Sequence, residues 1–407
     1  MEQNSKLSTD ILKIYEQYFL LFPEYYKVFT ELINNIIYKD NDNSFSLQFK
    51  LFYGFMASST LKCEYLLEDF IRIFLLLDGD KSWVEEGLKC KNIPEHIKEM
   101  ATINNILAHK PWIMDWRHFS CFKNGLTVFL FQSAVILTTI QRISSIISSL
   151  NLLIHYENNK NNKEIKINGE NIEEKKDNDE EKKIKEIKDN ENKKRKKKQR
   201  NLAIEEEIQK VIKLVKNNCT ENREEEKNNE IIKSDITKKY MFDLIIDYTD
   251  FNQHSDEYLS EEDFNWKTNA KNFFYDYAGK EMDYLNKELN VLENINSEVT
   301  TGKKINVYKA RTGIEKYLSL IYGIKDDDYD YHFINQTLNV EIKRIIKKVA
   351  CYPETIKEQE LTSCLEVITE KELVYLIFIV TSIKQKISLT YFAKAFDDFT
   401  CNGRPSK

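Results

Sequence analysis

Apolar residues recur at a helical spacing along most of the chain. Within the segment from Leu47 to Leu77, one helix face collects Cys63, Leu66, Phe70, Phe74 and Leu77. Residues three, four and seven apart lie on the same side of an α-helix, so this spacing predicts helix rather than strand. Similar patterns predict helices over 8–40 with a break at Pro23, and over 94–108, 126–153, 305–322, 333–349 and 370–396.

Residues that break helices are rare, which supports an all-α fold. The 407 residues include only 10 Gly and 5 Pro, too few for the many tight turns of a β-sandwich or propeller. Hydrophobic residues make up 42% of the chain and charged residues 31%. These proportions are typical of a globular protein that carries a polar insert.

The polar insert follows the most apolar predicted helix. From Glu157 to Arg200 the side chains are chiefly Lys, Glu, Asp and Asn. Such a segment buries too little apolar area to offset an ordering entropy of about 1–2 kcal/mol per residue. The helical period returns over 202–217. We predict an N-terminal helical domain at 1–156, a disordered charged linker at 157–235 with one amphipathic helix at 202–217, and a C-terminal helical domain at 236–407.

The chain shows no signal for export or membrane insertion. Its polar start lacks the apolar core of a signal peptide, and the apolar run 126–140 is shorter than the roughly 20 residues that span a bilayer. We therefore expect a soluble, cytoplasmic protein without a membrane span. The basic cluster at 193–200 leaves a nuclear location open, although a charge run in biased sequence is the favoured explanation.

Composition and motifs also argue against several ligand classes. A net charge of −6 does not suggest a nucleic-acid partner. Seven cysteines without a C-x-x-C pair disfavour disulfides and zinc. The stretch 301–304 lacks the residues of a phosphate loop, and 326–337 has Tyr331 where a calcium loop needs Gly. We expect no metal and no cofactor.

Three stretches of the sequence carry a family resemblance. The first is 58–66, followed by Asp78-Gly79-Asp80 and Trp83; the second is 106–112; the third is 322–331, continuing to 349–354. In order and spacing they resemble the sestrin family across nearly the whole chain outside the linker. The resemblance implies two pseudo-symmetric all-α halves, each similar to the alkylhydroperoxidase fold of the AhpD group.

The resemblance also implies a regulatory function. Sestrins restrain the TOR kinase complex by binding a GATOR complex upstream of Rag GTPases, and in some members leucine releases that partner. We therefore expect a stress- and nutrient-responsive negative regulator of TOR signalling. Asp327 and Asp328 match the aspartate pair by which sestrins engage the GATOR partner. An acidic turn is often only solvated surface, but flanking tyrosines and helices favour the interface interpretation here.

The family's amino-acid pocket is matched in part. Arg311 and Glu372 correspond to the pair that holds the ligand's carboxylate and amine, which suits a buried zwitterion. A pocket threonine is replaced by Val307 and a wall tryptophan by Leu365, and the threonine-rich lid aligns with Leu289, Asn290 and Leu292. Leucine or another amino acid is therefore one interpretation of Arg311 and Glu372, and a buried structural ion pair is the other.

The alternative function is a cysteine-dependent alkyl hydroperoxide reductase. The family's nucleophilic cysteine matches Cys63 and its tyrosine matches Tyr65, but the relay histidine position holds Phe70. Two further family histidines correspond to Thr139 and Gln141. Without a positioned acid or base, worth roughly 10²–10⁴-fold in rate, we expect negligible peroxidase activity. A sestrin-fold protein that has lost both chemistry and pocket is a third alternative.

Overall fold

The fold is all-α, as the apolar pattern predicts. A computed structural model describes residues 12–39, 45–120, 122, 126–168, 240, 251, 258–295, 307–326 and 330–402, with the backbone alone for 158–168 and 402. The α-helices of these ranges are α1 Glu16–Phe19, α2 Pro23–Ile33, α3 Leu47–Thr60, α4 Glu64–Leu76, α5 Lys81–Glu86, α6 Glu95–His109, α7 Thr127–Asn168, α8 Lys271–Glu293, α9 Val307–Ile321, α10 Tyr331–Thr337, α11 Val340–Cys351, α12 Glu358–Leu365 and α13 Glu370–Asn402.

Short 3₁₀ and π segments connect or extend these helices. The 3₁₀ turns are Gly87–Lys89, Pro111–Ile113, Trp116–Phe119 and Pro353–Thr355, and the π segments are Asn34–Tyr38 and Trp266–Ala270. Two strands complete the described elements, β1 Leu259–Ser260 and β2 Ile324–Lys325. They pair in parallel, with Leu259 opposite Ile324.

The predicted segment 47–77 is divided into two helices. Lys62 adopts φ of +53°, in the left-handed region, and the Cys63 amide donates to the Ser58 carbonyl at 2.9 Å. A left-handed residue cannot continue a right-handed helix, so α3 ends at Thr60 and α4 begins at Glu64. Cys63 therefore occupies the N-cap position of α4.

The core is built around α7 and α13, which pack on each other. Helix α7 also packs against α3 and α8, while α8 packs against α2. Helices from both predicted domains thus contribute to one apolar core. The predicted domain boundaries are untested, and the amphipathic helix predicted at 202–217 lies outside the described residues.

Both predicted domains contain a helix that ends in the same way. Helix α6 ends at His109 and α11 at Cys351, and each is followed by a proline-initiated 3₁₀ turn. The intervening residues have similar backbone angles, φ −140° and ψ 61° at Lys110 and φ −156° and ψ 67° at Tyr352. The pseudo-symmetry of the two halves as a whole stays a prediction.

Among the described residues, two helices are long and apolar enough to cross a membrane by length and composition, Thr127–Glu157 and Glu370–Cys401. In each, 94% of the most apolar 18-residue window is buried inside the protein. This burial is that of central core helices, and it explains why both helices are so apolar.

Candidate functional site

The Cys63 thiol lies in an apolar setting. Its side chain is only 4% exposed. Burial raises the pKa of the thiol to about 11, although hydrogen bonds from the Leu66 backbone and the Ser148 side chain act in the opposite direction. Because the thiolate is the nucleophile, a raised pKa makes Cys63 a poor one at neutral pH.

The three positions that the resemblance assigns to histidines serve packing and hydrogen bonding. Phe70 is buried, and its ring lies 6.4 Å from that of Tyr38. Gln141 donates to the carbonyl and the side-chain oxygen of Asn104 at 2.9 Å, while Thr139 accepts a hydrogen bond from Gln385 at 3.0 Å.

Tyr65 is half-buried near the start of α4, two residues after Cys63. Its ring meets that of Tyr15 edge-on, with the centroids 6.2 Å apart. Burial raises the pKa of the Tyr65 hydroxyl, and the nearby Asp69 carboxylate raises it further. Tyr65 is thus less acidic than an ordinary tyrosine, so proton transfer from it is disfavoured.

Arg311 extends from α9 toward the N-terminal part of α13. Its guanidinium donates to the carbonyl of Ile295 at 2.6 Å, to the carbonyl of Glu293 and to the hydroxyl of Tyr375. The guanidinium carbon lies 5.5 Å from the centre of the Tyr375 ring. The Nε atom is buried and has no hydrogen-bond partner among the described residues.

Glu372 closes the N-terminal end of α13. Its carboxylate accepts from the Thr369 amide at 2.6 Å and from the Thr369 hydroxyl at 2.8 Å, and its own amide donates back to that hydroxyl at 3.3 Å. This reciprocal arrangement is a capping box. Glu372 and Tyr375 are three residues apart and so lie on one face of α13. Because Arg311 donates to the Tyr375 hydroxyl, Arg311 and Glu372 approach the same face of this helix. Among the described residues, no ion pair joins Arg311 to Glu372.

The residues on both sides of the acidic loop (residues 327–329) are held by hydrogen bonds and strand pairing. Before it, β2 pairs with β1, and the Asp326 carboxylate accepts from the Lys316 ammonium at 2.5 Å. After it, the Asp330 side chain accepts from the His332 amide at 2.7 Å and caps α10. Asp327 and Asp328 themselves lie outside the described residues.

A buried ion pair that the sequence does not predict joins α7 to α8. The Arg142 guanidinium donates to both carboxylate oxygens of Glu288, at 2.6 and 2.7 Å. It also donates to the Tyr25 hydroxyl at 2.9 Å and to the Gln385 side-chain oxygen at 3.3 Å. A cation inside an apolar helix was the available signal for Arg142, but nothing in the sequence points to Glu288.

Chemistry based on a metal finds no support in the described ranges. No group of three or more His, Cys, Asp or Glu side chains in them has the geometry to hold a metal ion.

The chain is similar in sequence to known proteins of the family that it resembles. The family described as PA26 p53-induced protein (sestrin) matches residues 1–400. Human Sestrin-2 is 22% identical over 360 residues, covering 82% of this chain and 73% of the relative. Mouse Sestrin-1 is 23% identical over 403 residues, covering 92% and 80%. The Drosophila melanogaster sestrin homologue is 26% identical over 156 residues, covering 37% and 31%. The chain belongs to the sestrin family.

Proposed function

We propose that this protein is a negative regulator of TOR complex signalling that acts by binding a GATOR complex upstream of Rag GTPases. The observation that carries the proposal is the anchoring of the acidic loop on both sides, by the β1–β2 pairing and by the Asp330 cap of α10. Fixed ends reduce the conformational freedom that a loop loses on binding, which favours affinity. The side chains proposed to contact the partner are Asp327 and Asp328.

The setting of Cys63 supports a binding function over turnover. A buried thiol whose pKa is about 11 is almost entirely protonated at neutral pH. The relay position, seven residues further along the chain, holds the buried ring of Phe70, which cannot transfer a proton. Alkyl hydroperoxide reduction by Cys63 and Tyr65 is therefore the less favoured function.

We propose further that an amino acid controls partner binding through Arg311 and Glu372. The Arg311 guanidinium currently donates to neutral carbonyl oxygens, and a ligand carboxylate would give stronger, charge-assisted bonds. The Glu372 carboxylate, only 8% exposed at the end of α13, would accept from the ligand's ammonium group. Stress response, a cytoplasmic or nuclear location and release of the partner by leucine belong to the same proposal.

The test is binding of purified GATOR complex to the immobilised protein. Asp327→Ala with Asp328→Ala should abolish binding. Asp276→Ala with Asp283→Ala, which removes two exposed aspartates of α8, should leave binding unchanged. Equal binding by all three proteins would contradict the proposed function.

A second arm of the same measurement tests control by an amino acid. Each of the twenty amino acids is added to the preformed complex, and one of them, leucine first among the candidates, should release the partner. Release should be lost in Glu372→Gln, which keeps an oxygen for the Thr369 cap while removing the charge. If no amino acid releases the partner, Arg311 and Glu372 are structural residues.

A further inference from the structure

A cleft lies next to strand β2, the strand that precedes the acidic loop in the chain. It lies between the π segment Trp266–Ala270, α9 and α13, and its volume is about 60 Å³. Its floor is apolar and its rim is polar. The floor includes Phe264, Trp266, Ile383 and Ile387, and the rim includes Glu261 and Glu315.

Local structure ties the cleft to the β1–β2 pair, which precedes the acidic loop in the chain. Glu261 follows β1, and its amide donates to the carbonyl of Lys325 in β2 at 3.0 Å. Ile324 of β2 lines the cleft, and Asp326 comes two residues later. The acidic loop follows Asp326 in the chain, so the cleft borders the segment that leads into the loop.

The carboxylates on this rim are not fully balanced by neighbouring cations. Partial burial raises the pKa of the Glu261 carboxyl, and the neighbouring Glu315 and Asp326 raise it further. Lys267 and Lys316 act in the opposite direction without cancelling the effect. Lys316 is already paired with Asp326, so it is only partly available to Glu261.

Two lysines, Lys267 and Lys386, line the cleft, and Lys386 is engaged by a carboxylate outside it. The Lys386 ammonium lies 3.1 Å from the carboxylate of Glu293. A cation that arrived from outside would therefore meet the carboxylates of Glu261 and Glu315. A neighbouring apolar group would meet the isoleucines and aromatic rings of the floor.

We infer that the cleft is the second part of the surface that binds the protein partner, and that it takes a segment with an apolar side chain next to a Lys or Arg. The apolar side chain packs on Trp266, Ile383 and Ile387, and the basic one pairs with Glu261 and Glu315. This inference rests on the proposed function, because the loop and the cleft would contact the same partner. Long basic side chains suit such a site because their stems pack on apolar surface while the charge stays at the rim.

The test uses the full chain and the same purified GATOR complex. Glu261→Lys with Glu315→Lys should weaken binding at least tenfold. Glu85→Lys with Glu86→Lys makes the same change in net charge at two exposed positions of α5, and should leave binding within twofold of the wild type. If the charge-reversed cleft variant fails to fold, Glu261→Gln with Glu315→Gln replaces it, with an expected loss of about fivefold.

The apolar floor is tested by filling the cleft. Ser319 is half-buried on the cleft wall, and Ser319→Trp should also weaken binding at least tenfold. Ser363→Trp, at a half-buried serine of α12 away from the cleft, should not.

The outcomes separate this inference from the function it rests on. Wild-type affinity in both the charge variants and Ser319→Trp, with binding lost in the Asp327 and Asp328 variant, would overturn the cleft and leave the proposed function standing. Unchanged binding in the Asp327 and Asp328 variant would instead overturn the proposed function. Losses in the cleft variants and in the loop variant together support both.

Discussion

The two central helices, α7 and α13, each bury a cation, and the two cations have opposite surroundings. Arg142 of α7 is bonded to Glu288, Tyr25 and Gln385. Lys384 of α13 is only 4% exposed, and its ammonium has no hydrogen-bond partner among the described residues.

The two environments move the two pKa values apart. Burial alone would lower the pKa of Arg142, but the Glu288 carboxylate outweighs it and holds that pKa above its usual value. Burial lowers the pKa of Lys384 from 10.5 to about 8, and Cys351 and Glu354 only partly oppose the change. A buried charge is thus either matched by a partner, as at Arg142, or pushed toward its neutral form.

The largest effect on stability is expected when Arg142 loses the carboxylate of Glu288. Glu288→Leu leaves a buried guanidinium without a counter-ion, so the free energy of unfolding should fall by about 3–5 kcal/mol. Urea denaturation followed by circular dichroism measures this loss. Arg142→Met combined with Glu288→Leu removes both charges and should recover most of the stability. Equal losses in the single and double variants would contradict the assigned role of the pair.

Removing the second cation should have the opposite effect. Lys384→Met deletes a buried ammonium and keeps an unbranched apolar side chain, so the free energy of unfolding at neutral pH should increase. A pKa lowered from 10.5 to about 8 sets the gain at no more than about 3.5 kcal/mol, at roughly 1.4 kcal/mol per tenfold change. The same urea measurement checks it.

A matched control lies on the same helix. The side chain of Lys394 is 32% exposed and pairs with Asp398 one turn away, at 2.6 Å. Lys394→Met should change the free energy of unfolding by less than about 0.5 kcal/mol. A loss of stability in Lys384→Met would contradict this expectation, because it would show that contacts of the Lys384 side chain stabilise the fold by more than burial of its charge costs.

These cations also show how far the sequence predicts the structure. Helical spacing predicts α7 and α13, and the residue types alone match Arg311, Glu372 and the acidic loop to family positions. The partner of Arg142 is not predictable in this way, because Glu288 lies 146 residues further along the chain. The break between α3 and α4 escapes prediction for a local reason, since it uses the left-handed backbone of a lysine where a glycine would have signalled it.

The dependence of stability on pH distinguishes the two cations by the smallest effect. In the folded protein Lys384 releases its proton near pH 8, whereas in the unfolded chain it keeps the proton to about pH 10.5. Between these values the unfolded state binds more protons, so the free energy of unfolding rises with pH. The destabilising cost of Lys384 is therefore complete below about pH 8 and fades toward pH 10.5. Arg142 stays protonated throughout and contributes no such slope.

Subtracting the Lys384→Met variant from the wild type isolates this slope, because the titrations of the other lysines, tyrosines and cysteines cancel. From about pH 7.5 to pH 9, the wild type should gain about 1 kcal/mol relative to the variant. Urea denaturation at four or five pH values in this range is sufficient. A difference that stays constant with pH would mean that Lys384 keeps its proton in the folded state, and that its ammonium is matched as fully as the Arg142 guanidinium.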